Sequence, residues 1–185
     1  MLLCLFGITL AASALLGGVY VLTYEPIAAA QRNEVNAAIA AVVPSFENDP
    51  SVEMTLIEVE GKRLKIYSAI KNNQPVGYAI EATTSKGFGG PIVLMVGFLP
   101  DGTIHNIAVV SHSETPGLGD KIDKKKGDFS LQFNGKNPAD FKLLVKKDGG
   151  QVDAITASTI SSRAFCDAVE LAYLAFLTIN SEGHE

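Results

Sequence analysis

Hydrophobic and polar positions divide the chain into an uncharged N-terminal run and a longer segment that mixes charged and apolar residues. No side chain from Met1 to Tyr24 is charged, and Glu25 is the first that is. A helix over this run reaches about 36 Å, enough to cross a hydrocarbon core of roughly 30 Å. The pattern predicts a single transmembrane anchor over residues 1–24.

A cleaved signal peptide is the alternative for this N-terminus, because Ala28-Ala29-Ala30 has the small side chains of a cleavage site. Signal peptides begin with basic residues and have an apolar region of about 7–15 residues. Here the first basic residue is Arg32 and the apolar run is longer, which favours an uncleaved anchor. The positive-inside rule has too little charge beside the run to fix its orientation.

An alanine-rich run follows the anchor and predicts a connecting helix over residues 25–44. Pro26 suits the first turn of such a helix, and Pro44 marks its end. The remaining residues, 45–185, are predicted to form one domain of ordinary size.

From Val52 onward the hydrophobic pattern changes to the shorter period of β-strands. Turn signals at 60–62 and 100–102 separate apolar runs and predict tight connections between strands. The run 92–99 is apolar at nearly every position, which predicts a strand buried on both faces. Predicted strands cover residues 52–59, 64–70, 76–82, 92–99 and 103–110, with two shorter ones at 141–145 and 152–155.

Residues 111–140 are predicted to be mostly loop, with apolar anchors at Phe129, Leu131 and Phe133. A helix is predicted from about residue 160 to 179, apolar on nearly every side and therefore expected to close the sheet. The predicted fold class is α+β: a single N-terminal transmembrane helix, followed by an antiparallel-sheet domain with a C-terminal helix.

Charge and cysteine content exclude several functional classes. A net charge of −5 and a pI near 5.2 argue against a nucleic-acid partner, which requires a basic surface. The basic cluster 121–126 lacks interleaved aromatic residues and is interpreted as a solvated loop. Cys4 and Cys166 lie far apart in the sequence, and neither they nor the three histidines show a metal-ligand spacing. We therefore expect no disulfide and no protein-bound metal.

The first segment with candidate chemistry is the loop 111–121, with the sequence S-H-S-E-T-P-G-L-G-D-K. Pro116 followed by Gly117 is typical of the central positions of a type II turn, and Gly119 permits a second unusual backbone angle. Successive amides at 117–119 would point into one concavity and bind an anion. An ordinary Gly/Pro surface loop has the same composition, so this segment alone leaves both interpretations open.

The second segment, 153–163, joins the last predicted strand to the C-terminal helix. The first turn of a helix exposes unpaired N–H groups and the positive end of the helix dipole, which stabilise a phosphate. Serine and threonine hydroxyls would add donors, and Arg163 would add charge if it points inward. Simple N-capping explains the same residues without a ligand. The chain shows no general acid–base pair and no nucleophile beside a histidine, so no catalytic residue is predicted.

Four segments, together with the N-terminal anchor, carry a family resemblance: 87–95, 112–122, 132–136 and 153–164. In this order they resemble the FMN-binding subunits of bacterial respiratory ion pumps. These are the G subunit of the Rnf complex and the C subunit of the sodium-translocating NADH:quinone reductase. The compact length is more similar to the Rnf type.

In that family, FMN is esterified through its phosphate to the threonine that closes an Asp-x-x-Ser/Thr-Gly-Ala-Thr motif. A flavin transferase makes the bond and uses FAD as the donor. Asp153, Thr156 and Thr159 fall on the fixed positions of the motif, so the resemblance implies covalent FMN on Thr159. Ala157-Ser158 replaces the usual Gly-Ala, which raises Ser158 as an alternative acceptor.

The resemblance also implies that the loop 114–119 lies against the flavin ring, whose reduced form carries negative charge on one edge. The cofactor-binding residues expected on this basis all belong to the two motif segments, 111–121 and 153–163. They are Thr159, Asp153, Thr156, Ser158, Glu114, Thr115, Gly117, Leu118, Gly119 and Lys121.

As a member of this family, the chain would be a redox subunit that is not catalytic alone. It would relay electrons with other membrane subunits of an Rnf-type complex, which exchanges electrons between ferredoxin and NAD and moves sodium ions or protons. The resemblance implies a single-pass protein of the inner membrane with its flavin domain on the periplasmic side. Two alternatives remain: a stand-alone extracytoplasmic flavoprotein that serves another reductase, and a scaffold module without flavin.

Overall fold

The computed structural model describes residues 2–182 and contains two helices and a five-stranded sheet. Met1, where the predicted anchor begins, and residues 183–185 lie outside the described range. The elements are α1 (Leu2–Val42), β1 (Thr55–Val59), β2 (Lys62–Lys71), β3 (Gln74–Thr84), β4 (Ile92–Phe98), β5 (Ile104–His112) and α2 (Thr159–Glu182). An apolar N-terminal helix, an antiparallel sheet and a C-terminal helix confirm the predicted α+β class.

The chain forms two compact units, Met1–Val35 and Asn36–Glu185. Helix α1 runs without interruption through Pro26, so the prediction that a second helix begins there was wrong. A proline inside a helix removes one backbone hydrogen bond, here to the carbonyl of residue 22. Ending one helix and beginning another would leave several backbone groups unpaired at each end, which explains the continuous helix.

In the part of the chain that the structure describes, two helices are long and apolar enough to cross a membrane, judged by length and composition alone. They cover residues Leu5–Val42 of α1 and Thr159–Ser181 of α2. Among the described residues, the apolar window of α1 has none that is buried, whereas half of the window in α2 is buried. Helix α2 is therefore the core helix of the second unit, and α1 has the character of the predicted anchor.

The sheet is a meander in which neighbouring strands are sequential and all pairs are antiparallel, in the order β1-β2-β3-β4-β5. Strand β4 is buried at six of its seven positions, as predicted from its apolar run. Alternate β4 residues, such as Leu94 and Phe98, belong to the core that α2 covers, together with Phe165 and Val169 of that helix. This packing fixes the start of α2 at one end of the sheet.

The other face of the sheet is covered by the last turns of α1, within the second compact unit. Ile39, Val42 and Val43 are almost completely buried. A Cβ at Gly97 of β4 would overlap the carbonyl oxygen of Val42, so glycine permits the close approach of helix and strand. The side chain of Asn106 donates a hydrogen bond to the carbonyl of Ala41 at 2.7 Å. Ile39, Val42 and Val43 are therefore part of the core, whereas Ala37, Ala40 and Ala41 of the same segment are exposed.

Residues 113–158 contain short 3₁₀ turns instead of strands. The two predicted strands at 141–145 and 152–155 reduce to one isolated bridge between Val145 and Val152, so that prediction was wrong. The ladder does not continue because the backbone of Asp153 pairs with the side chain of Gln132 instead. Of the three predicted anchors, Phe129 and Phe133 are buried against α2, whereas Leu131 is 43% exposed.

Candidate functional site

Three segments that are distant in the sequence meet in a cleft at the beginning of α2. One follows β3, one follows β5, and the third is the turn that enters α2. The cleft has a volume of about 350 Å³, within the range of small-molecule sites. Its walls are formed by Phe88, Glu114, Thr115, Leu118, Gly119, Ala157, Ser158, Thr159, Ile160 and Ser161.

The turn before α2 places Thr159 at the first helical position. The amide of Ser158 donates to the carbonyl of Ile155 at 3.0 Å, and Ala157 inside this turn has a φ of +62°. The buried hydroxyl of Ser162 accepts from the amide of Ile155 and donates to the carbonyl of Ser158, both at 3.0 Å. These bonds fasten the turn to the helix, so the half-buried Thr159 side chain is held at the cleft wall.

Unpaired amides at the beginning of α2 suit a negatively charged group. The first bond of the helical pattern runs from the amide of Ser162 to the carbonyl of Ser158. The amides of Thr159, Ile160 and Ser161 precede it and have no acceptor within the helix. With the positive end of the helix dipole, they would stabilise a phosphate beside Thr159.

The loop after β5 contains the predicted turn. The amide of Leu118 donates to the carbonyl of Thr115 at 3.2 Å, and Gly117 has a φ of +77°. The expectation that three successive amides point into one concavity needs correction, because the Leu118 amide is used inside the turn. Of the three amides at 117–119, the backbone bonds of this described loop leave those of Gly117 and Gly119.

Glu114 connects the three walls of the cleft. Its carboxylate is buried; Oε1 accepts from the amide of Gly89 at 3.0 Å, and Oε2 accepts a short hydrogen bond from the hydroxyl of Ser161. Its own amide donates to Nδ1 of His112 at 3.1 Å. Both carboxylate oxygens are engaged with protein donors, so Glu114 holds the walls together.

A second set of contacts, made by Asp167, joins the loop after β3 to α2. Asp167 accepts hydrogen bonds from the hydroxyl of Thr84, at 2.8 Å, and from the ammonium group of Lys86. Burial raises the pKa of Asp167, but these hydrogen bonds and the charge of Lys86 outweigh burial and hold the pKa below its ordinary value. The hydrogen bond to Asp167 in turn raises the pKa of Lys86.

Comparison with known proteins assigns the chain to a family. Residues 87–174 match the FMN-binding domain family. The chain is 37% identical to the G subunit of the ion-translocating oxidoreductase complex of Aliivibrio fischeri, over 98% of the chain and 90% of the relative. It is 37% identical to the G subunit from Pasteurella multocida, over 92% and 89%, and 34% identical to that from Shewanella piezotolerans, over 84% and 78%. The chain belongs to this G-subunit family. The three segments that line its cleft all lie within the FMN-binding match.

In this member of the G-subunit family, the predicted site residues divide between two clefts. Glu114, Thr115, Leu118, Gly119, Ser158 and Thr159 line the first cleft. Asp153, Thr156 and Lys121 line a second one of about 410 Å³, beside Gln132 and Phe129. Gly117 lines neither cleft and lies in the turn 115–118. The turn 155–158 separates the two groups, because it reverses the chain in the middle of the Asp153–Thr159 motif.

Asp153 is tied to the protein in the second cleft. Its amide donates to Oε1 of Gln132 at 2.8 Å, its carbonyl accepts from Nε2 of the same side chain at 3.2 Å, and its carboxylate lies 2.7 Å from the ammonium group of Lys146. Arg163 does not point toward the helix start: two hydrogen bonds of 2.7 Å join it to Asp148. Hydrogen bonding to Arg163 lowers the pKa of Asp148.

Four residues that line the first cleft were missed by the sequence reasoning: Phe88, Ala157, Ile160 and Ser161. Phe88 lies in the G-F-G-G-P segment, which carried the resemblance but suggested only a loop. Ser161 was treated as part of a run of capping residues, although only the fold brings it to Glu114. Cys166 lies in the core side of α2, where burial raises the pKa of its thiol to about 12. Among the described residues, no group of three His, Cys, Asp or Glu side chains is arranged to hold a metal ion.

Proposed function

We propose that this chain carries FMN, joined by a phosphoester to the hydroxyl of Thr159, and serves as the flavin electron carrier of an ion-translocating oxidoreductase complex. The observation that supports this most is the position of Thr159. Its side chain is at the first position of α2, beside amides that suit a phosphate, in a cleft within the FMN-binding match. FMN supplies one- and two-electron chemistry when bound, and the protein binds and orients it.

The cleft fits FMN at both ends. The start of α2 offers hydroxyl and amide donors for the phosphate, whereas Phe88, Leu118 and Ile160 form an apolar wall for a ring. Thr159 is the better acceptor than Ser158, because Thr159 is half-buried and Ser158 is only 7% exposed. Attachment by a flavin transferase would form a bond between Oγ1 of Thr159 and the flavin phosphorus. It would break the pyrophosphate of FAD, release AMP and transfer the hydroxyl proton to solvent.

The partners proposed for the mature protein are other membrane subunits of an Rnf-type complex. The relatives are named as subunits of ion-translocating oxidoreductase complexes, and the N-terminal helix fits a membrane anchor. We place the flavin domain on the periplasmic side of the inner membrane, following the family resemblance. Protease added to spheroplasts should then degrade this domain, while protease added to inverted vesicles should not reach it.

Intact mass of the full chain, co-expressed with a flavin transferase, tests the covalent bond. The wild-type chain should be heavier by one FMN less water, Thr159→Ala should lose that mass, and Ser158→Ala should keep it. If Thr159→Ala keeps the added mass and Ser158→Ala loses it, the acceptor is Ser158. If neither the wild-type chain nor either variant carries FMN, the scaffold interpretation holds.

Co-purification tests the place in a complex. A tagged chain extracted in mild detergent should retain other membrane subunits, and the flavinylated band should remain fluorescent after denaturing electrophoresis. A flavinylated chain that purifies alone under those conditions would support the stand-alone flavoprotein.

A further inference from the structure

The loop between β3 and β4 is tightly built around Phe88. A Cβ at Gly87 would lie 2.7 Å from Oε1 of Glu114, and a Cβ at Gly89 would overlap the carbonyl of Ser113. The amide of Gly89 is also bonded to Glu114, and Lys86 at the beginning of the loop is paired with Asp167. These contacts restrain the backbone of the loop on both sides of Phe88.

This fixed loop leaves its aromatic side chain in solvent. Phe88 is 69% exposed, and among the described residues 36–182 it is the one exposed phenylalanine or tyrosine. Single exposed apolar residues are common on protein surfaces, so exposure alone assigns no role. The position of Phe88 is more informative, because it lines the same cleft as Thr159.

Two further exposed apolar side chains line this cleft from separate segments. Leu118 is 43% exposed on the loop after β5, and Ile160 is 48% exposed on the first turn of α2. Phe88 faces the cleft from the third segment. Three apolar groups beside a hydroxyl and helix amides suit a ligand with a flat apolar part and a charged end.

We propose that Phe88 binds the isoalloxazine ring by stacking on it, with Leu118 and Ile160 completing an apolar seat. This inference rests on the proposed attachment of FMN at Thr159. An aromatic side chain on a fixed loop gives a flat ring a preferred orientation, because stacked and edge-to-face pairs are favoured at contact distance. Phe88 thus sets the ring orientation, while the phosphoester sets only where the ring is tethered.

The absence of tryptophan from the sequence makes the contact measurable. An indole touching an excited flavin transfers an electron to it, and the electron returns without emission, so fluorescence is lost. In the flavinylated full chain in detergent, Phe88→Trp should lose most of the flavin emission. Leu56→Trp is the control, since Leu56 is 57% exposed on β1, the sheet edge opposite to β5; it should keep the emission of the wild type.

A second variant measures orientation instead of contact. Phe88→Ala should give a faster local decay of flavin fluorescence anisotropy, because the tethered ring loses its stacking partner. Its thermal midpoint should match that of the wild type, since the side chain is mostly in solvent. The Phe88→Ala chain should keep the added mass of FMN at Thr159.

Emission from Phe88→Trp as strong as that from Leu56→Trp would overturn the stacking, and so would an unchanged anisotropy decay in Phe88→Ala. Intact mass is measured first and keeps this failure separate from that of the proposed function. With the FMN adduct present on Thr159, either result refutes only the stacking by Phe88. A wild-type chain without FMN refutes the proposed function and the stacking together.

Discussion

Ala157 has a left-handed backbone conformation that its side chain disfavours. Its φ of +62° lies in the turn that presents Thr159, at the position where the related motif has glycine. A Cβ in this conformation costs roughly 1–2 kcal/mol, whereas glycine adopts it without that cost. Alanine in place of the motif's glycine therefore strains the turn beside Thr159, the proposed acceptor.

Replacing Ala157 with glycine should raise the free energy of unfolding by about 1 kcal/mol, because it removes the strain of the positive φ. Urea denaturation of the variant and the wild type measures the difference. Ala154→Gly is the matched control: Ala154 is exposed in the same segment and is not among the described residues with positive φ. Glycine there should lower the free energy by about 0.5–1 kcal/mol. Equal losses in both variants would show that residue 157 is not strained.

Gly117 and Gly135 share a left-handed backbone conformation but lie in different loops. Both have positive φ, +77° and +72°, and a Cβ at either position would meet no atom within 4 Å. Valine at each should lower stability by roughly 1–2 kcal/mol through backbone strain alone. Only Gly117 lies in the loop that lines the cleft, so only Gly117→Val should shift the reduction potential of bound FMN.

Redox titration of the flavinylated chain beside thermal melts separates the two effects. Gly135→Val should have a lowered melting temperature and the potential of the wild type. If Gly117→Val behaves in the same way, the loop 114–119 serves the fold and does not tune the flavin.

At the scale of elements, the loop after β3 is held to α2 by a charge pair that depends on pH. The pKa of Asp167 is lowered from its ordinary value of 3.8. Its ionised form therefore stabilises the fold above pH 3.8, and this contribution is lost as the pH falls through the lower folded pKa. Lys86 is largely exposed, so solvent screening limits the contribution.

Asp167→Asn should lower the free energy of unfolding by at most about 1 kcal/mol at neutral pH, because it removes a partly exposed charge pair. The difference from the wild type should shrink below pH 4 and vanish once Asp167 is protonated in both folded and unfolded chains. Denaturation series at several pH values measure it. Asp140→Asn, at an exposed position, should have little effect throughout; a pH-independent loss in Asp167→Asn would exclude the charge as its cause.

Local pattern was sufficient to predict the strands of the sheet and the helix that covers it. Strand-like runs bounded by turn signals located β1, β2, β3 and β5, and the continuous apolar run of β4 correctly indicated burial on both faces. These features depend on residues close together in the chain, and each strand pairs with its sequence neighbour. The pattern failed at 141–145 and 152–155, where the side chain of Gln132 takes the hydrogen bonds that a ladder needs.

The site was less accessible to sequence reasoning, because its contacts join distant segments. Glu114 meets Gly89 and Ser161 across separations of 25 and 47 residues, which no local period records. The division of the Asp153–Thr159 motif between two clefts follows from one turn with a positive φ at Ala157. A motif written as seven consecutive letters gives no sign that its two ends face different surfaces.

On the scale of the whole molecule, the uncharged N-terminal run bears on how the chain matures. We expect the membrane-extracted protein to keep the run 1–24, since this run is longer than the apolar region of a signal peptide. N-terminal sequencing of the chain from washed membranes measures this. A start at Gln31, with the protein in the soluble fraction, would show that the segment is a cleaved signal peptide.

The second compact unit begins inside α1, so the position of a truncation decides whether the domain stays folded. Ile39, Val42 and Val43 cover one face of the sheet and are at most 4% exposed. Burial of each such side chain contributes about 1.5–3 kcal/mol, so their loss is comparable with the whole stability of a domain, about 5–15 kcal/mol.

A fragment of residues 36–185 should therefore be soluble, unfold cooperatively and accept FMN from a flavin transferase. A fragment of residues 45–185, which begins at the boundary predicted from sequence, should expose the sheet face beside Gly97 and bind hydrophobic dyes or aggregate. Circular dichroism melts and intact mass of the two fragments make the comparison. Equal melting temperatures would mean that the last turns of α1 cover the sheet without stabilising it, and that the domain boundary lies after residue 44.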